Sequence, residues 1–331
     1  MNLLRRGIIQ ALDSFNLAKN FATTLYTGNG TTQSVVSDLD YVANDGLVWL
    51  KSRSLASSNG LFDTKRGAGE ILQSDKTSAE VLNINTLSTF NADGFGLGSD
   101  GFQNANSANY VAWQFMKAQG FFGIVEYVGD GIAGRTVAID LDDGSAVFGM
   151  AIVKNRDTGA TNWRVQHKDI GGTGALVLDG TGVTITSSSL WNDTSASTSS
   201  LTLGTTGSVN ANTDNFIAYV FAHNPSKGVF CGSYTGTGAA GNKVVTGFPV
   251  GWVLIKSSSL SESWYIFDIK RGIVTAGNDS LLFANLTNAE STVADYIDVD
   301  SDGFTLNVAS AGTNQNTAEY IFMAIADPAQ F

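Results

Sequence analysis

Internal repetition constrains this chain of 331 residues more than any other feature. The motif Tyr-x-Gly-x-Gly begins at Tyr26, Tyr127 and Tyr234, at intervals of about 100 residues. Other landmarks recur in the same order: an apolar segment that ends in lysine, a Phe-Asp-x-Lys-Arg-Gly segment in the two outer copies, and a late apolar run. The lysine-terminated segments end at Lys51, Lys154 and Lys256, and the late runs begin at Tyr110, Phe216 and Tyr320. Four landmarks in constant order predict three homologous units, each long enough to be a whole domain.

Short strands dominate the pattern within each unit. Segments such as 251–256 are rich in β-branched and aromatic residues and are bounded by glycine and serine. Strand-like runs at roughly 8–12-residue spacing, with almost no helical periodicity, favour antiparallel sandwiches. The sequence therefore predicts an all-β protein of three tandem antiparallel β-sandwiches, of jelly-roll or concanavalin-like topology. We name them repeat 1 (21–119), repeat 2 (120–225) and repeat 3 (226–331).

Residues 1–20 differ from the rest of the chain. Leu4, Ile8, Leu12 and Phe15 recur at helical spacing and predict a short amphipathic N-terminal helix. The apolar patch is too short and too interrupted for a secretory signal. The helix is expected either to bind a partner or further copies of the chain, or to cap the first domain.

The composition excludes several classes of protein. A net charge of −11 argues against a nucleic-acid partner or an anionic membrane surface. No apolar run reaches the roughly 18 residues of a membrane span, so we expect no membrane insertion. The 43% apolar content is too high for a disordered chain. The single cysteine, Cys231, excludes an internal disulfide framework and a cysteine-based zinc site, and we expect it to be buried.

Catalytic and cofactor motifs are weak. The two histidines, His167 and His223, have no nucleophile motif such as Gly-x-Ser-x-Gly nearby. The glycine motifs are not followed by Gly-Lys-Ser/Thr, which a phosphate-binding loop needs. We therefore predict no catalytic residues, no cofactor and a protein that is not an enzyme.

Asp298, Asp300 and Asp302 form the one segment that resembles a metal site. Their spacing is that of the start of a calcium loop, but Ala309 stands where an EF-hand needs a bidentate glutamate. They are candidates for a calcium site of a different kind, and the alternative is a solvated turn before Phe304.

Aromatic residues are the remaining candidates for ligand contact. Trp191 and Asn192 lie in a polar run, and an exposed tryptophan there could stack on a sugar. The alternative is that Trp191 packs in the interior. The tryptophans on predicted strands are expected to fill the cores: Trp49, Trp163, Trp252 and Trp264.

Acidic and basic residues recur together at one strand end of both outer repeats. Asp63 is followed by Lys65 and Arg66, and Asp268 is followed at the same spacing by Lys270 and Arg271. We predict salt bridges within each domain at these positions, in preference to an anion-binding site.

Several segments of repeats 2 and 3 resemble an uncharacterised repeated domain family of tailed bacteriophages, many of them marine. The resemblance rests on the segments 191–194, 200–204, 216–222, 234–238, 252–256, 267–272, 284–290, 301–306 and 320–328, and covers residues 21 to 328. Residues 43–46 depart from the family, which more often has a proline-containing turn there. Members of the family are usually regarded as virion components, often tail-fibre or tail-associated.

The resemblance implies a location in the virion, in the tail rather than on the capsid surface. The expected function is binding of a host-surface glycan, with the domains projecting from the particle as a rod or knob. Residues 1–20 would bind other virion proteins, and a homotrimer is the expected assembly. A capsid decoration protein and a tail polysaccharide depolymerase are the alternatives.

Overall fold

The computed structural model describes residues 15–331 and is all-β, which confirms the predicted fold class. Most of the predicted N-terminal helix lies outside the described residues. Its last part forms a short 3₁₀ helix, Leu17–Lys19, capped by the Asn16 side chain and followed at once by the first strand. Leu17 is buried.

Repeat 1 forms two antiparallel sheets. Its strands are β1 (Phe21–Thr27), β2 (Gln33–Val36), β3 (Gly46–Ser52), β4 (Gly60–Asp63), β5 (Glu70–Gln73), β6 (Val81–Leu82), β7 (Leu87–Asn91), β8 (Gly94–Leu97) and β9 (Asn109–Met116). The larger sheet has the order β1-β9-β3-β4-β5-β6 and the smaller the order β2-β8-β7. One helical turn, α1 (Gly101–Asn104), precedes β9. The central strand β3 is buried along its whole length, as its continuous apolar sequence requires.

Repeat 2 has the same arrangement. Its elements are β10 (Phe122–Val128), β11 (Arg135–Ala138), β12 (Val147–Asn155), β13 (Arg164–His167), a 3₁₀ helix (Lys168–Ile170), β14 (Gly174–Val177), β15 (Ile185–Thr186), α2 (Ser188–Trp191), β16 (Ser200–Leu203), α3 (Gly207–Asn210) and β17 (Asn215–His223). The larger sheet runs β10-β17-β12-β13-β14-β15, and β11 pairs with β16 in the smaller one.

Repeat 3 follows after a 3₁₀ turn, Pro225–Lys227. Its strands are β18 (Val229–Thr235), β19 (Asn242–Val245), β20 (Val250–Ser257), β21 (Trp264–Asp268), β22 (Leu282–Phe283), β23 (Ile297–Asp300), β24 (Gly303–Leu306) and β25 (Glu319–Ala326). The sheets run β18-β25-β20-β21-β22 and β19-β24-β23. In every repeat the first strand therefore pairs with the last, and the last pairs with the lysine-terminated strand.

The strands of each repeat fall inside the predicted ranges, but one hydrophobic core runs through all three repeats. Phe115 of repeat 1 lies 5.3 Å from Phe221 of repeat 2 and 5.7 Å from Trp252 of repeat 3, measured between ring centroids. Repeat 1 also has a separate core between its own two sheets. The repeats pack side by side around a shared centre, which fits the expected knob and not a rod of three domains in line. Their boundaries as separate folding units stay predictions.

Equivalent hydrogen bonds close the three repeats into a ring. In each repeat, the residue four positions before the end of β4, β13 or β21 donates its side-chain N–H to a backbone carbonyl of a neighbouring repeat. The pairs are Asn59 with Phe283 (3.3 Å), Trp163 with Gln73 (2.9 Å) and Trp264 with Val177 (2.9 Å). Repeat 1 thus donates to repeat 3, repeat 3 to repeat 2, and repeat 2 to repeat 1. We call the junctions the 1–3, 2–3 and 1–2 interfaces.

Candidate functional site

A fully buried lysine lies at each of the three interfaces. Lys51, Lys154 and Lys256 lie near the ends of β3, β12 and β20, and all three are inaccessible to solvent. Each ammonium donates to a carbonyl oxygen of its own repeat and also to the neighbouring repeat. The neighbouring acceptors are the carbonyls of Leu286 (3.3 Å) and Thr287 (2.9 Å) for Lys51, of Thr77 (3.2 Å) for Lys154 and of Thr181 (3.2 Å) for Lys256. Burial lowers the pKa of each lysine to about 8. The lysines therefore tie adjacent repeats together through backbone carbonyls.

A chain of ion pairs crosses the 1–2 interface. Asp63 and Arg66 form the predicted salt bridge within repeat 1, at 2.5 Å and fully buried, so that prediction is confirmed. Arg66 also binds Glu80 at 2.8 Å, and Glu80 binds Arg156 of repeat 2 at 2.7 Å. Buried charges need such partners, because an unpaired one carries a large desolvation penalty.

The 1–3 interface has the same arrangement at equivalent positions. Asp268 and Arg271 pair at 2.5 Å within repeat 3, as predicted. Arg271 binds Glu290 at 3.2 Å, and Glu290 binds Arg53 of repeat 1 at 2.7 Å. Two of the three interfaces therefore have matching charged networks.

The 2–3 interface has different chemistry. His167 stands at the position of Asp63 and Asp268, and its ring Nε2 lies 3.2 Å from the carbonyl oxygen of Phe322 in repeat 3. The other network positions are uncharged: Ile170, Thr184 and Ser258. Burial lowers the pKa of His167 to about 4. His167 is thus a neutral interface residue, with no nucleophile among its hydrogen-bond partners.

The Tyr-x-Gly-x-Gly motif has a structural role in all three repeats. In repeat 2, the Tyr127 hydroxyl donates to the Val209 carbonyl at 2.7 Å. Gly129 passes so close to the carbonyl oxygen of Ala211 that a Cβ there would collide with it, and Gly131 has φ of +69°. The buried Asn210 side chain accepts a bond from the loop between these glycines. The motif is therefore a clasp that fixes a loop.

The three candidate metal-binding aspartates have separate partners. Asp298 accepts from the Ala276 amide at 3.0 Å, and Asp300 accepts from the Thr305 hydroxyl at 2.6 Å. Asp302 pairs with Lys243 at 2.7 Å. Within residues 15–331, no group of three or more histidine, cysteine, aspartate or glutamate side chains is placed to hold a metal ion.

Of the two interpretations of Trp191, exposure for ligand contact is wrong and burial is confirmed. Trp191 ends the short helix α2 and is 0% exposed, as part of the shared core. Asn192 follows it in the left-handed conformation, with φ of +51°, and its amide caps the helix through the Ser188 carbonyl. A buried indole cannot stack on a sugar. The polar residues that follow Trp191 form a turn at the surface, whereas the Trp191 side chain itself points into the core. The strand tryptophans are buried as predicted, and so is Cys231.

A cleft of about 270 Å³ lies at the 1–3 interface. Its lining is mostly apolar and is provided by Ala18, Phe21, Ala22, Thr23, Gly251, Ile269, Lys270, Asp327, Pro328 and Ala329. The Thr23 hydroxyl is buried and has no hydrogen-bond partner in the described part of the chain. Lys270 is exposed and forms no ion pair with any residue from 15 to 331. Apolar walls with a few unpaired polar groups are typical of small-ligand sites.

The equivalent position of the 1–2 interface has a cleft of about 380 Å³. There the lysines are already paired: Lys65 with Asp45 at 2.9 Å, and Lys117 with Asp140 at 3.7 Å. At the 2–3 interface Phe230 stands where the other repeats have Ala22 and Gly123. The three junctions therefore share a frame but differ in chemistry, and the 1–3 cleft has the polar groups that are free to bind a ligand.

Two sets of residues were missed by the sequence reasoning. The lysines at the ends of β3, β12 and β20 recur in all three repeats, and a charged residue kept at the end of an apolar strand is a signal of a buried partner. Of the cleft residues, Lys270 was recognised in the sequence, but the salt bridge predicted for it is absent from the described residues. The cleft itself gave no signal, because it exists only where distant segments such as 18–23 and 269–270 meet.

The fold and these junctions define a class of protein: an all-β chain in which three repeated units close on one another around a shared core. No helix in the described residues is long and apolar enough to cross a membrane. A family model described as a domain of unknown function (DUF7483) matches residues 16–328. The chain belongs to this family. No curated protein matches it.

Proposed function

We propose that this chain is a structural protein of a bacteriophage virion, located in the tail, that binds a glycan on the host surface. The proposal of a phage role rests on the resemblance of its repeated segments. The proposal of a binding role rests on one observation, the 1–3 cleft with its unpaired Lys270 and Thr23.

The size and lining of the cleft suit one sugar residue. Its apolar walls, which include Ile269 and Pro328, match the C–H face of a pyranose ring. Lys270 can donate hydrogen bonds to sugar hydroxyls, and the Thr23 hydroxyl gains the partner that it lacks. Affinity of a single small site is modest, and many copies on a particle raise it by avidity.

Binding to host-surface polysaccharide is measured with the purified full chain and immobilised polysaccharide. Lys270→Ala is expected to weaken binding at least tenfold, because it removes a charged donor from the ligand. Lys65→Ala is the matched control, since Lys65 lies in the equivalent 1–2 cleft and is already paired with Asp45. Failure of the wild-type chain to bind, or equal binding by both variants, contradicts the proposed site.

The enzymatic alternative is separated by a turnover assay on the same polysaccharide. A binding protein leaves the reducing ends of the polysaccharide unchanged, whereas a depolymerase releases new ones. Release of reducing ends at a rate proportional to protein concentration contradicts the proposal that the chain is not an enzyme.

Attachment through the N-terminal segment is the second part of the proposal. Deleting residues 1–14 leaves every described contact of Leu17 and Phe21 in place, whereas deleting 1–20 removes part of the core. The shorter deletion is expected to abolish incorporation into phage particles without unfolding the chain. Normal incorporation contradicts the anchor, and antibody labelling of heads in place of tails favours capsid decoration. A homotrimer stays a proposal, to be measured by the mass of the chain in solution.

A further inference from the structure

Both histidines of the chain lie at the 2–3 interface, where the charged network is missing. His167 ends β13, and its ring contacts repeat 3 through the Phe322 carbonyl. His223 ends β17, and its ring lies 4.5 Å from the ring of Phe230 in repeat 3, in an edge-on contact. Both of the two histidines in the sequence therefore lie at the same one of the three interfaces.

The hydrogen bonds of His167 require its neutral form. Nδ1 accepts from the backbone N–H of Asp169 at 3.2 Å, so the proton of the neutral ring is on Nε2, which donates to the Phe322 carbonyl. A second proton on Nδ1 would point at the Asp169 N–H. That hydrogen bond would be lost, and a cation would be created in a side chain with 0% exposure.

The charged groups around His167 do not offset this cost. Lys168 and Asp169 pair with each other at 2.7 Å, and His223 donates from Nδ1 to the Cys231 carbonyl at 2.9 Å. Asp169 favours a positive charge on His167, whereas Lys168 and a protonated His223 oppose it. Burial is the largest influence on both rings, and it lowers the pKa of His167 to about 4 and that of His223 below its ordinary value.

The other two interfaces have no histidine. The 1–2 and 1–3 interfaces are held by the paired Asp63 and Asp268, whose carboxylates each accept from an arginine. The 2–3 interface has Thr184 and Ser258 in place of the inter-repeat ion pair. Of the three junctions, it is the one in which a proton taken up by a buried ring breaks a hydrogen bond within repeat 2, to Asp169, and puts a buried cation against repeat 3 with no inter-repeat ion pair beside it; the Phe322 carbonyl still accepts from Nε2 and offsets only part of that cost.

We propose that the 2–3 interface is an acid-sensitive latch, which opens when His167 takes up a proton while the 1–2 and 1–3 interfaces stay closed. In the open form water solvates the imidazole, and its pKa returns to the ordinary value of about 6.5. Opening is therefore coupled to the uptake of one proton at pH values between about 6.5 and 4. The population of the open form then rises by up to about tenfold for each pH unit lost in that range. The proposal does not depend on glycan binding or on a phage role.

The unique cysteine is a built-in reporter of the latch. Cys231 lies on β18 and is fully buried, and a Cβ added at Gly149 of repeat 2 would lie 2.7 Å from its Sγ. The rate of its reaction with 4,4′-dithiodipyridine is measured at pH 7.5 and 5.0, each divided by the rate of the chain unfolded in denaturant at the same pH. The expected rise at pH 5.0 is about thirtyfold for protonation of His167 alone. An unchanged normalised rate overturns the proposal.

Substitutions separate the latch from general acid unfolding. His167→Asn keeps an acceptor for the Asp169 N–H but cannot be protonated, so the rise of its normalised rate at pH 5.0 is that due to His223 and is expected to be far below the thirtyfold of the wild-type chain. In a Cys231→Ala background, Ile124→Cys places the thiol at the equivalent buried position of the 1–2 interface, and no rise is expected there. An equal rise in either variant overturns the proposal.

A second measurement needs no substitution. Hydrogen–deuterium exchange of the wild-type chain compares β14–β15 of repeat 2 with the equivalent β5–β6 of repeat 1 at both pH values, after correction for the intrinsic exchange rate. Faster corrected exchange at pH 5.0 is expected in β14–β15 and not in β5–β6. Equal changes in both segments overturn the latch even if a variant fails to fold.

Discussion

Tyr219 of repeat 2 donates its hydroxyl to the carboxylate of Asp63 in repeat 1 at 2.8 Å, across the 1–2 interface. Trp113 makes the equivalent bond to Asp268 at 2.9 Å across the 1–3 interface. The same aspartate position is therefore bound both by an arginine of its own repeat and by an aromatic donor of the neighbouring repeat. These bonds are buried, so they stabilise the contact between repeats as well as the repeats themselves.

Removing the Tyr219 hydroxyl tests the contribution of this bond. Tyr219→Phe is expected to lower the free energy of unfolding by about 1–3 kcal/mol, because the buried Asp63 carboxylate loses one donor. Urea denaturation followed by tryptophan fluorescence measures it. Tyr296→Phe is the control, since the Tyr296 hydroxyl makes no side-chain hydrogen bond within the described residues. A loss below about 0.5 kcal/mol in Tyr219→Phe contradicts the assigned role.

The three buried lysines predict how stability depends on alkaline pH. The folded pKa of each is about 8, whereas a lysine in the unfolded chain titrates near 10.5. Between these values the unfolded chain binds more protons, so the free energy of unfolding rises with pH, by about 1 kcal/mol per pH unit for each lysine. The increase is expected between pH 8 and about 10. From about pH 8.5 it is reduced by ionisation of Cys231 in the unfolded chain, because burial raises the pKa of that thiol in the folded chain, and above pH 10 ionisation of tyrosines in the unfolded chain opposes it.

Urea denaturation at a series of pH values measures this increase. Lys256→Met removes one of the three titrating lysines and is expected to reduce the slope by about 1 kcal/mol per pH unit, while lowering stability at pH 7 because the Thr181 carbonyl loses its donor. A free energy of unfolding that is flat or falls from pH 8 to 10 contradicts the account of the lysines.

The glycine clasp predicts a strong effect at one glycine and none at another. Gly129→Ala is expected to cost about 3 kcal/mol or more, because the new Cβ would collide with the backbone carbonyl of Ala211, which cannot move without opening the loop. Gly182→Ala is the matched control in the same repeat, since no atom lies within 4 Å of the added Cβ. Thermal unfolding measures both, and equal stability of the two variants contradicts the clasp.

Much of the fold could be predicted from the sequence because it is a local property of each repeat. The alternation of apolar strands and glycine-rich turns determines an all-β chain, and the conserved order of landmarks indicates the repeats. The pairing of Asp63 with Arg66 is also local, since three positions separate the two residues.

The ring and the cleft could not be predicted, because they depend on contacts between distant parts of the chain. Lys51 reaches Thr287, and Arg53 reaches Glu290, more than 200 residues later in the sequence. Trp191 shows the same limit: its neighbours in sequence are polar, but its side chain is buried in the shared core.

The burial of Trp191 predicts a structural effect. Trp191→Ala is expected to lower the free energy of unfolding by about 3–5 kcal/mol, because it leaves a large cavity in the core. Asn192→Ala should cost only about 1 kcal/mol, from the left-handed backbone at that position, and Asn192→Gly should cost less. Chemical denaturation compares the three. A loss below about 1 kcal/mol for Trp191→Ala contradicts the assigned burial.

The closed ring is the central claim of this account, and small-angle X-ray scattering of the full chain tests it most directly. Three repeats packed around one core predict a radius of gyration of about 20 Å, the value for a compact chain of this length. Three domains of about 100 residues in a line would give about 30 Å. At a scattering mass of one chain, a radius near 20 Å is the predicted result, and a radius near 30 Å at that same mass, with a rod-like distance distribution, would contradict the ring.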